Sequence, residues 1–171
     1  MLVQIGRRAF VMPKNIVKII SISEIHDRAE LDDAQKNGNL IPLRVSLLRT
    51  AVFLTNGKII LAGLSAKTLQ KRLLAAQHCS DAFAANERES KEKRLYVGAK
   101  NIFINPELVA YIIELSDIAD SSALRHSKAF VPFSRSPRTA IFCRIDRVIF
   151  SPISAKTLHK NILKASYKKR L

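Results

Sequence analysis

The stretch "SAKTL" occurs twice, at Ser65–Leu69 and again at Ser154–Leu158, 89 positions apart in a chain of 171 residues. An exact five-residue match in so short a chain means either an active-site motif used twice or a fold used twice. The flanks decide for the fold. "RTAVFLTNGKIILAGLSAKTLQKRLLA" (Arg49–Ala75) lies over "RTAIFCRIDRVIFSPISAKTLHKNILK" (Arg138–Lys164) at the same offset. Each window opens on Arg-Thr-Ala, runs through an apolar stretch, a short polar break and a second apolar stretch, and ends in the shared motif. Upstream, "LVQIGRRAFVMPKNIVKIISI" (Leu2–Ile22) resembles "LYVGAKNIFINPELVAYIIEL" (Leu95–Leu115), at an offset of 92 for Gly6 and Gly98 and 93 for Pro13 and Pro106. A drifting offset places small insertions in loops, where they are tolerated. The chain therefore reads as two copies of one small domain, residues 1–77 and 94–171, joined by a charged linker over 78–93.

The motif itself reads as a helix start. Ser65 and Ser154 are placed to accept hydrogen bonds from first-turn N–H groups. Leu64 with Leu69, and Ile153 with Leu158, flank the cap as a hydrophobic staple does. The helices then bury Leu69 and Leu73, or Leu158 and Ile162, and expose Lys67 and Lys71, or Lys156, Lys160 and Lys164, on the other side. A phosphate-binding loop in "GLSAKT" would need Gly directly before Lys, where Ala66 and Ala155 stand, so nucleotide hydrolysis is not expected.

The rest of each copy reads as short strands around a small helix. Leu2–Ile5, Ala9–Met12 and Ile16–Ile20 are strand-like, punctuated by Gly6 and Pro13. "SEIHDRAELDDAQKNGN" (Ser23–Asn39) is a charged helix with a thin apolar stripe, stopped at Gly38. Ile41–Val45 is a strand. Thr50–Thr55 and Lys58–Ala62 flank Asn56-Gly57, which predicts a type I′ hairpin turn. Thr139–Arg144 and Arg147–Ser151 repeat that hairpin around Ile145-Asp146. The fold class expected is α+β: two tandem domains, each a mostly antiparallel sheet with a short middle helix and a closing amphipathic helix. The hairpin strands are nearly continuous apolar runs, as in sheets covered on both faces. One amphipathic helix covers one face, so the sister copy or another chain must cover the other. The linker "HCSDAFAANERESKEKR" (His78–Arg94) fits either a continuation of the first closing helix or a tether.

Composition narrows the function. The net charge is +15 and the pI about 10.3. Met1–Gln77 carries 12 Lys/Arg against 5 Asp/Glu, Leu95–Leu171 carries 13 against 5, and the stretch between balances at 4 and 4. The excess thus lies on both folded copies, which points to polyanions, nucleic acid before anionic membrane. No run reaches the roughly 18 apolar residues of a membrane span, and the N-terminus lacks the order of a signal peptide. Cys79 and Cys143 form no framework, which fits a reducing cytoplasm. The histidines, His26, His78, His126 and His159, lack zinc-like spacing. No metal or cofactor is expected. No catalytic arrangement of Ser, His, Cys or paired carboxylates recurs in both copies, so no enzyme is expected either.

Several small motifs together resemble a known family. They are Ile5-Gly6 and Val97-Gly98, the "NIV" strand at Asn15–Val17, Ile41-Pro42 and Val131-Pro132, a basic residue before an apolar hairpin, and "FSPISAKTLHK" (Phe150–Lys160). The pattern resembles the bacterial extracellular-matrix regulatory family, RemA/RemB-like, whose members are single units. The resemblance covers both copies. It implies a LytTR-like domain and a DNA-binding activator of biofilm-matrix genes that assembles into a ring and presents arginines to the DNA backbone. The arginines implied are Arg44 and Arg49 in the first copy and Arg135 and Arg138 in the second. The family's adjacent arginine pair falls here at Leu47-Leu48 and Ser136-Pro137, and its arginine at the start of the third strand falls at Asn15 and Glu107.

The expectation is accordingly a cytoplasmic, nucleoid-associated protein that binds double-stranded DNA through its backbone, as transcriptional regulator or architectural protein. The further candidates for phosphate contact are Arg7, Arg8 and Lys100 near the glycines, and Lys67, Lys71, Lys156 and Lys160 on the closing helices. Arg49 and Arg138 stand out because Arg-Thr-Ala recurs where neighbours differ; pairing with an acid across the fold would explain that equally. A homo-oligomer is expected, a tetramer of two-unit chains giving an eight-unit ring. The alternatives are an RNA-binding protein and a ring-forming scaffold without nucleic acid. Phe10, Phe53, Phe103, Phe142 and Phe150 sit inside apolar runs, where core packing explains them better than base stacking.

Overall fold

The computed structural model describes residues 1–25, 28–84, 95–97, 103–120, 124, 130–132, 136–145 and 147–167. Their fold is α+β. In chain order the elements are β1 (Val3–Gln4), β2 (Ala9–Val11), β3 (Ile16–Ser21), α1 (Ala29–Lys36), β4 (Leu40–Pro42), β5 (Thr50–Leu54), β6 (Ile59–Ala62), α2 (Ala66–Ala84), β7 (Leu95–Tyr96), β8 (Phe103–Ile104), β9 (Val109–Glu114), β10 (Phe130–Pro132), β11 (Thr139–Cys143), β12 (Val148–Ser151) and α3 (Ala155–Tyr167). A single 3-10 turn, Pro13–Asn15 or Pro106–Leu108, leads into β3 and β9. Proline opens each turn because its fixed φ suits a first helical position.

One sheet has the order β3-β5-β6-β4, and the last four strands of the larger sheet follow β9-β11-β12-β10. Each half thus places its strands in the same sequence, with one parallel pair, β4 with β6 and β10 with β12. The two hairpins that precede these sheets behave differently. β7 and β8 form a two-stranded sheet of their own, whereas β1 and β2 extend the sheet of the other half. β2 runs antiparallel to β9, with Ala9 opposite Ile113, Phe10 opposite Ile112 and Val11 opposite Tyr111. Glu114 N–H donates to the Arg8 carbonyl at 3.0 Å, and Met12 N–H to the Ala110 carbonyl at 2.8 Å. A second seam joins the halves where Leu43 bridges Ile118 and Ala119 N–H reaches the Pro42 carbonyl at 2.9 Å.

This arrangement supplies the missing cover for the apolar hairpins. Val52, Leu54, Ile60, Ala62 and Leu69 of the first half share one buried cluster with Tyr111, Ile113, Ala140, Phe142, Val148 and Phe150 of the second. The opposite face of β5 and β6, with Ala51, Phe53, Ile59 and Leu61, is covered by α1 through Ala34 and Leu31. In the second half Ile141, Cys143 and Ile149 pack under Leu158 and Ile162 of α3, together with Leu2 and Phe10 from the first. Side chains alternate across a strand, so the shared cluster joins one face of the first sheet to the opposite face of the second. The halves meet head to tail, not about a two-fold axis.

The recurrent motifs have a common structural cause. Thr50 Oγ1 donates to the Leu64 carbonyl at 2.7 Å, and Thr139 Oγ1 to the Ile153 carbonyl at 2.7 Å. Both threonines are fully buried. Thr68 N–H donates to Ser65 Oγ at 3.2 Å and Thr157 N–H to Ser154 Oγ at 3.3 Å. The threonine of Arg-Thr-Ala thus anchors the residue that precedes the serine cap, and hairpin and helix are locked at one corner. Leu158 and Ile162 are buried as the periodicity predicts, and so is Leu69, but Leu73 is only half-buried. α2 passes Gln77 and runs to Ala84, so the start of the charged linker continues the first closing helix.

The Asn56-Gly57 turn differs from the expected type I′. Leu54 N–H donates to the Lys58 carbonyl at 2.9 Å and Gly57 N–H to the Leu54 carbonyl at 3.1 Å. These bonds leave Thr55, Asn56 and Gly57 as a three-residue loop, with Gly57 at φ 78°. A type I turn followed by a left-handed glycine fits that loop, and Asn56 Oδ1 secures it by accepting from Lys58 N–H at 3.1 Å.

Thr50→Val should destabilise the chain by about 1–3 kcal/mol, because a buried carbonyl loses its donor while shape is kept; a urea titration reads this, and an unchanged midpoint would remove the corner from the account. A second expectation concerns His159, whose ring stacks on Phe10 at 4.4 Å between centroids. Burial lowers its pKa, against a raising backbone hydrogen bond at Leu2. The unfolded chain then binds a proton near the ordinary histidine pKa before the folded chain does, so stability falls as pH drops through that value. Thermal melts between about pH 7 and 5.5 should show this decline, and His159→Gln should flatten it.

Candidate nucleic-acid interface

Five arginines gather where the β1–β2 turn meets the loop after β4 and the first half of α2. Arg7, Arg49 and Arg72 line a hollow of about 400 Å³ whose walls include Gly6, Val45, Ser46, Leu47 and Gly63. Arg7 also lines an adjoining hollow of about 300 Å³ with Arg8, Arg44, Val45 and Asp117. The glycines explain how the backbone segments come so close. A Cβ on Gly6 would stand 2.8 Å from Leu43 Cδ1, and one on Gly63 3.2 Å from the Leu47 carbonyl oxygen.

Hydrogen bonds hold parts of this cluster. Arg72 Nη1 donates to the Gln4 carbonyl at 2.8 Å, fixing α2 against β1. Arg44 N–H donates to the Asp117 carbonyl at 2.6 Å, so the exposed Arg44 side chain projects from the second seam between the halves. Arg49 is held only through its backbone, its N–H on the Ala62 carbonyl at 2.9 Å and its carbonyl on Ile22 N–H at 2.9 Å. Its side chain is exposed and has no ion-pair partner among the described residues.

Arg138, its counterpart in the second half, is placed differently. Its Nε donates to Glu114 Oε1 at 2.9 Å. The same oxygen accepts from Arg8 Nη1 at 3.1 Å, and Glu114 Oε2 accepts from Ala155 N–H at 3.3 Å. The Glu114 side chain is 3% exposed. A buried carboxylate at the start of α3 suits the unsatisfied N–H groups and positive end of a helix. In the first half Ser21 ends the matching strand, and its hydroxyl lies 2.9 Å from Ser23 Oγ. One of the two recurrent arginines therefore pairs with an acid across the fold, while the other does not.

The remaining candidates lie apart from the hollows. Lys67 and Lys71 on α2, and Lys156 and Lys160 on α3, are exposed. Lys100 and Arg135 fall outside the described residues. Arg72 went unnamed in the sequence reading. Its signal was its position three residues after the buried Leu69, at the border of the apolar stripe, where a long stem can lie along the surface. Phe10, Phe53, Phe142 and Phe150 are all buried. Cys143 is buried too, and burial pushes its thiol up to about 11, so at neutral pH it is a protonated core group. No helix among the described residues is long and apolar enough to cross a membrane.

Residues 2–73 match the RemA-like family model, described as extracellular matrix regulatory protein A-like. The first half is thus similar to this family from β1 into α2, and every arginine lining the two hollows lies within the match. No curated protein matches the chain.

Glu114→Ala should cost about 1–3 kcal/mol, since it strands two arginines and an α3 N–H group, with the arginines' own exposure limiting the loss. Glu114→Gln should restore about half, because its amide oxygen still accepts from Ala155 N–H. Denaturant midpoints distinguish the two, and equal stability of all three chains would remove Glu114 from its role as a clamp.

Proposed function

We propose that this chain is a double-stranded DNA-binding regulator or architectural protein of the RemA-like kind, built from two tandem copies of one domain, that grips the phosphate backbone from its arginine-lined hollows. The observation that carries this reading is the asymmetry of charge. Arg7, Arg44 and Arg49 stand together around adjoining concave surfaces with no acidic side chain bonded to them among the described residues. Phosphates attract such groups because neutralisation releases condensed counterions. Backbone contacts position a protein on duplex DNA, and the deformability of the site then sets its preference more than base edges do. Arg8 and Arg138 share one carboxylate and add less. The exposed lysines of α2 and α3 extend the positive field. The family's description favours regulation of extracellular-matrix functions, with the chain acting in the cytoplasm at the nucleoid. Four chains closing into a ring of eight domains would offer a continuous basic rim for bent DNA.

The test is a titration with duplex DNA, single-stranded DNA and duplex RNA at two salt concentrations. Duplex DNA should bind best, with steep salt dependence. Arg49→Ala should weaken binding to all duplex sequences and lower the salt slope by about one unit, while Arg138→Ala should lose more stability than affinity. Binding insensitive to salt, or tighter on duplex RNA, would overturn the reading.

A further inference from the structure

The loop between β4 and β5 carries two successive leucines that face opposite ways. Leu48 packs against the buried cluster that α1 covers. Leu47 is 58% exposed, and Val45 two places earlier is 39% exposed. Both line the arginine hollows: Leu47 stands with Arg7 and Arg49 in the larger one, and Val45 borders both. An isolated apolar side chain on a surface calls for no explanation. An apolar pair inside a cluster of arginines does. A purely electrostatic grip on phosphates gains nothing from it, and neither does the fold, which leaves it in water.

The loop is also held still. Leu43 N–H donates to the Leu61 carbonyl at 2.9 Å, Arg44 N–H to the Asp117 carbonyl at 2.6 Å and Arg49 N–H to the Ala62 carbonyl at 2.9 Å. Between these anchors Gly63 lets the loop lie close. A Cβ there would stand 3.1 Å from Val45 Cγ2 and 3.2 Å from the Leu47 carbonyl oxygen. Leu47 is therefore exposed on a segment fixed at both ends and braced in the middle. No acidic side chain is bonded to the arginines on either side of it, Arg44 and Arg49, among the described residues.

We propose that Leu47 is a wedge that enters a base step from the minor groove, with Arg7, Arg44 and Arg49 on the phosphates that flank the step, so that the chain kinks the duplex it binds. This rests on the DNA-binding reading and names how the same site selects its target. An apolar side chain driven into a step partly unstacks it and bends the duplex toward the major groove. Burying the leucine offsets part of the unstacking, and the bend brings further phosphates within reach of the arginines. A wedge works only if the backbone beneath it does not yield, which the braced loop provides. Pyrimidine–purine steps such as TA unstack most easily, so they are the preferred sites. In the second half Ser136 stands 89 positions after Leu47 and is exposed, so the first half alone carries the wedge at this place. A leucine among arginines also suits an anionic lipid surface. Two side chains beside concave hollows are, however, far less than the continuous apolar face that lies in a bilayer, and the hollows suit a line of phosphates.

Readings on a short duplex with a single central TA step test the wedge. Dyes at the two ends should report a bend on binding, and 2-aminopurine beside the step should brighten as it unstacks. Leu47→Ala should remove most of both signals and lower affinity about tenfold, yet leave the salt slope unchanged, since no phosphate contact is lost. Leu47→Arg should raise the salt slope by about one unit and still fail to bend the duplex. A mismatch at the step makes unstacking easier. It should tighten binding by the unsubstituted chain and not by Leu47→Ala. Both variants should melt with the unsubstituted chain, because the side chain they replace is exposed. The outcomes separate the wedge from the reading it rests on. Salt-dependent binding to a duplex that stays straight, or a bend kept by Leu47→Ala, overturns the wedge and leaves the phosphate grip. Absence of duplex binding overturns both. Tighter binding to phosphatidylglycerol vesicles than to the duplex, lost in Leu47→Ala, would assign Leu47 to a membrane surface instead.

Discussion

Three residues of β2 lying along three residues of β9 make one molecule of two halves. That seam satisfies the outer backbone groups of β9, buries both faces of the second sheet, and brings Arg8 within reach of Glu114. It also sets the polarity of the whole arrangement. Because the hairpin of one half meets the sheet of the other, the equivalent pair, β7–β8 and the β3 edge, is left unjoined. A two-fold arrangement would have used both hairpins and both edges, and would have left a closed molecule with nothing further to pair. The head-to-tail arrangement cannot close in a single chain of two units.

The corner that joins hairpin to helix was legible because it is local. Arg-Thr-Ala and the serine cap lie within one continuous window, and the chemistry of a buried hydroxyl on a carbonyl demands the same residue types each time. The serine caps, the hairpins and the thin α1 stripe were legible for the same reason, although the charged run read as helix over Ser23–Asn39 is an α-helix only at Ala29–Lys36, after a 3-10 turn at Ile22–Glu24. What was not legible is long-range. β2 would carry the same apolar pattern whether it paired with its own sheet or the neighbouring one, so the alternation of Ala9, Phe10 and Val11 says nothing about the partner. The need for a cover over β5 and β6 could be read from their continuous apolar runs, but not that Ala140, Phe142 and Val148 supply it. The hairpin turn was read one residue too tight, because Asn-Gly serves both a two-residue loop and the last two places of a three-residue one.

The candidate site shows the same division. Sequence could mark Arg49 and Arg138 as equals, since both open the recurrent window. Only the fold separates them, through Glu114, an acid 24 residues from Arg138 that also takes Arg8 from 106 residues away and leaves Arg49 without a counterpart. Glu114 follows an apolar run in the sequence, and nothing local marks it as buried. Instead it is buried, and the positive end of α3 together with two guanidinium groups makes that burial tolerable. Arg72 was hidden by the opposite effect: among neighbouring basic residues on a helix, nothing in the sequence alone sets apart the one that faces a cavity.

The two halves, alike in strand order, differ at this junction. In an assembly of identical single units every seam must carry the same residues, so an acid that strengthens one seam also neutralises every arginine beside it. Stability of the junction and availability of the arginine then oppose each other at each position. With two units per chain the demands separate. The seam between the halves is covalently tethered, works at the high effective concentration of a linked partner, and can take the buried Glu114, whose two arginine bonds lock its geometry. The matching end of the first sheet carries Ser21 instead, and Arg49 beside it has no ion-pair partner among the described residues. The halves differ accordingly: the second has the fully buried β9 and the Glu114 clamp, and the first has an open sheet edge and, in Arg7, Arg44 and Arg49, arginines with no ion-pair partner among the described residues.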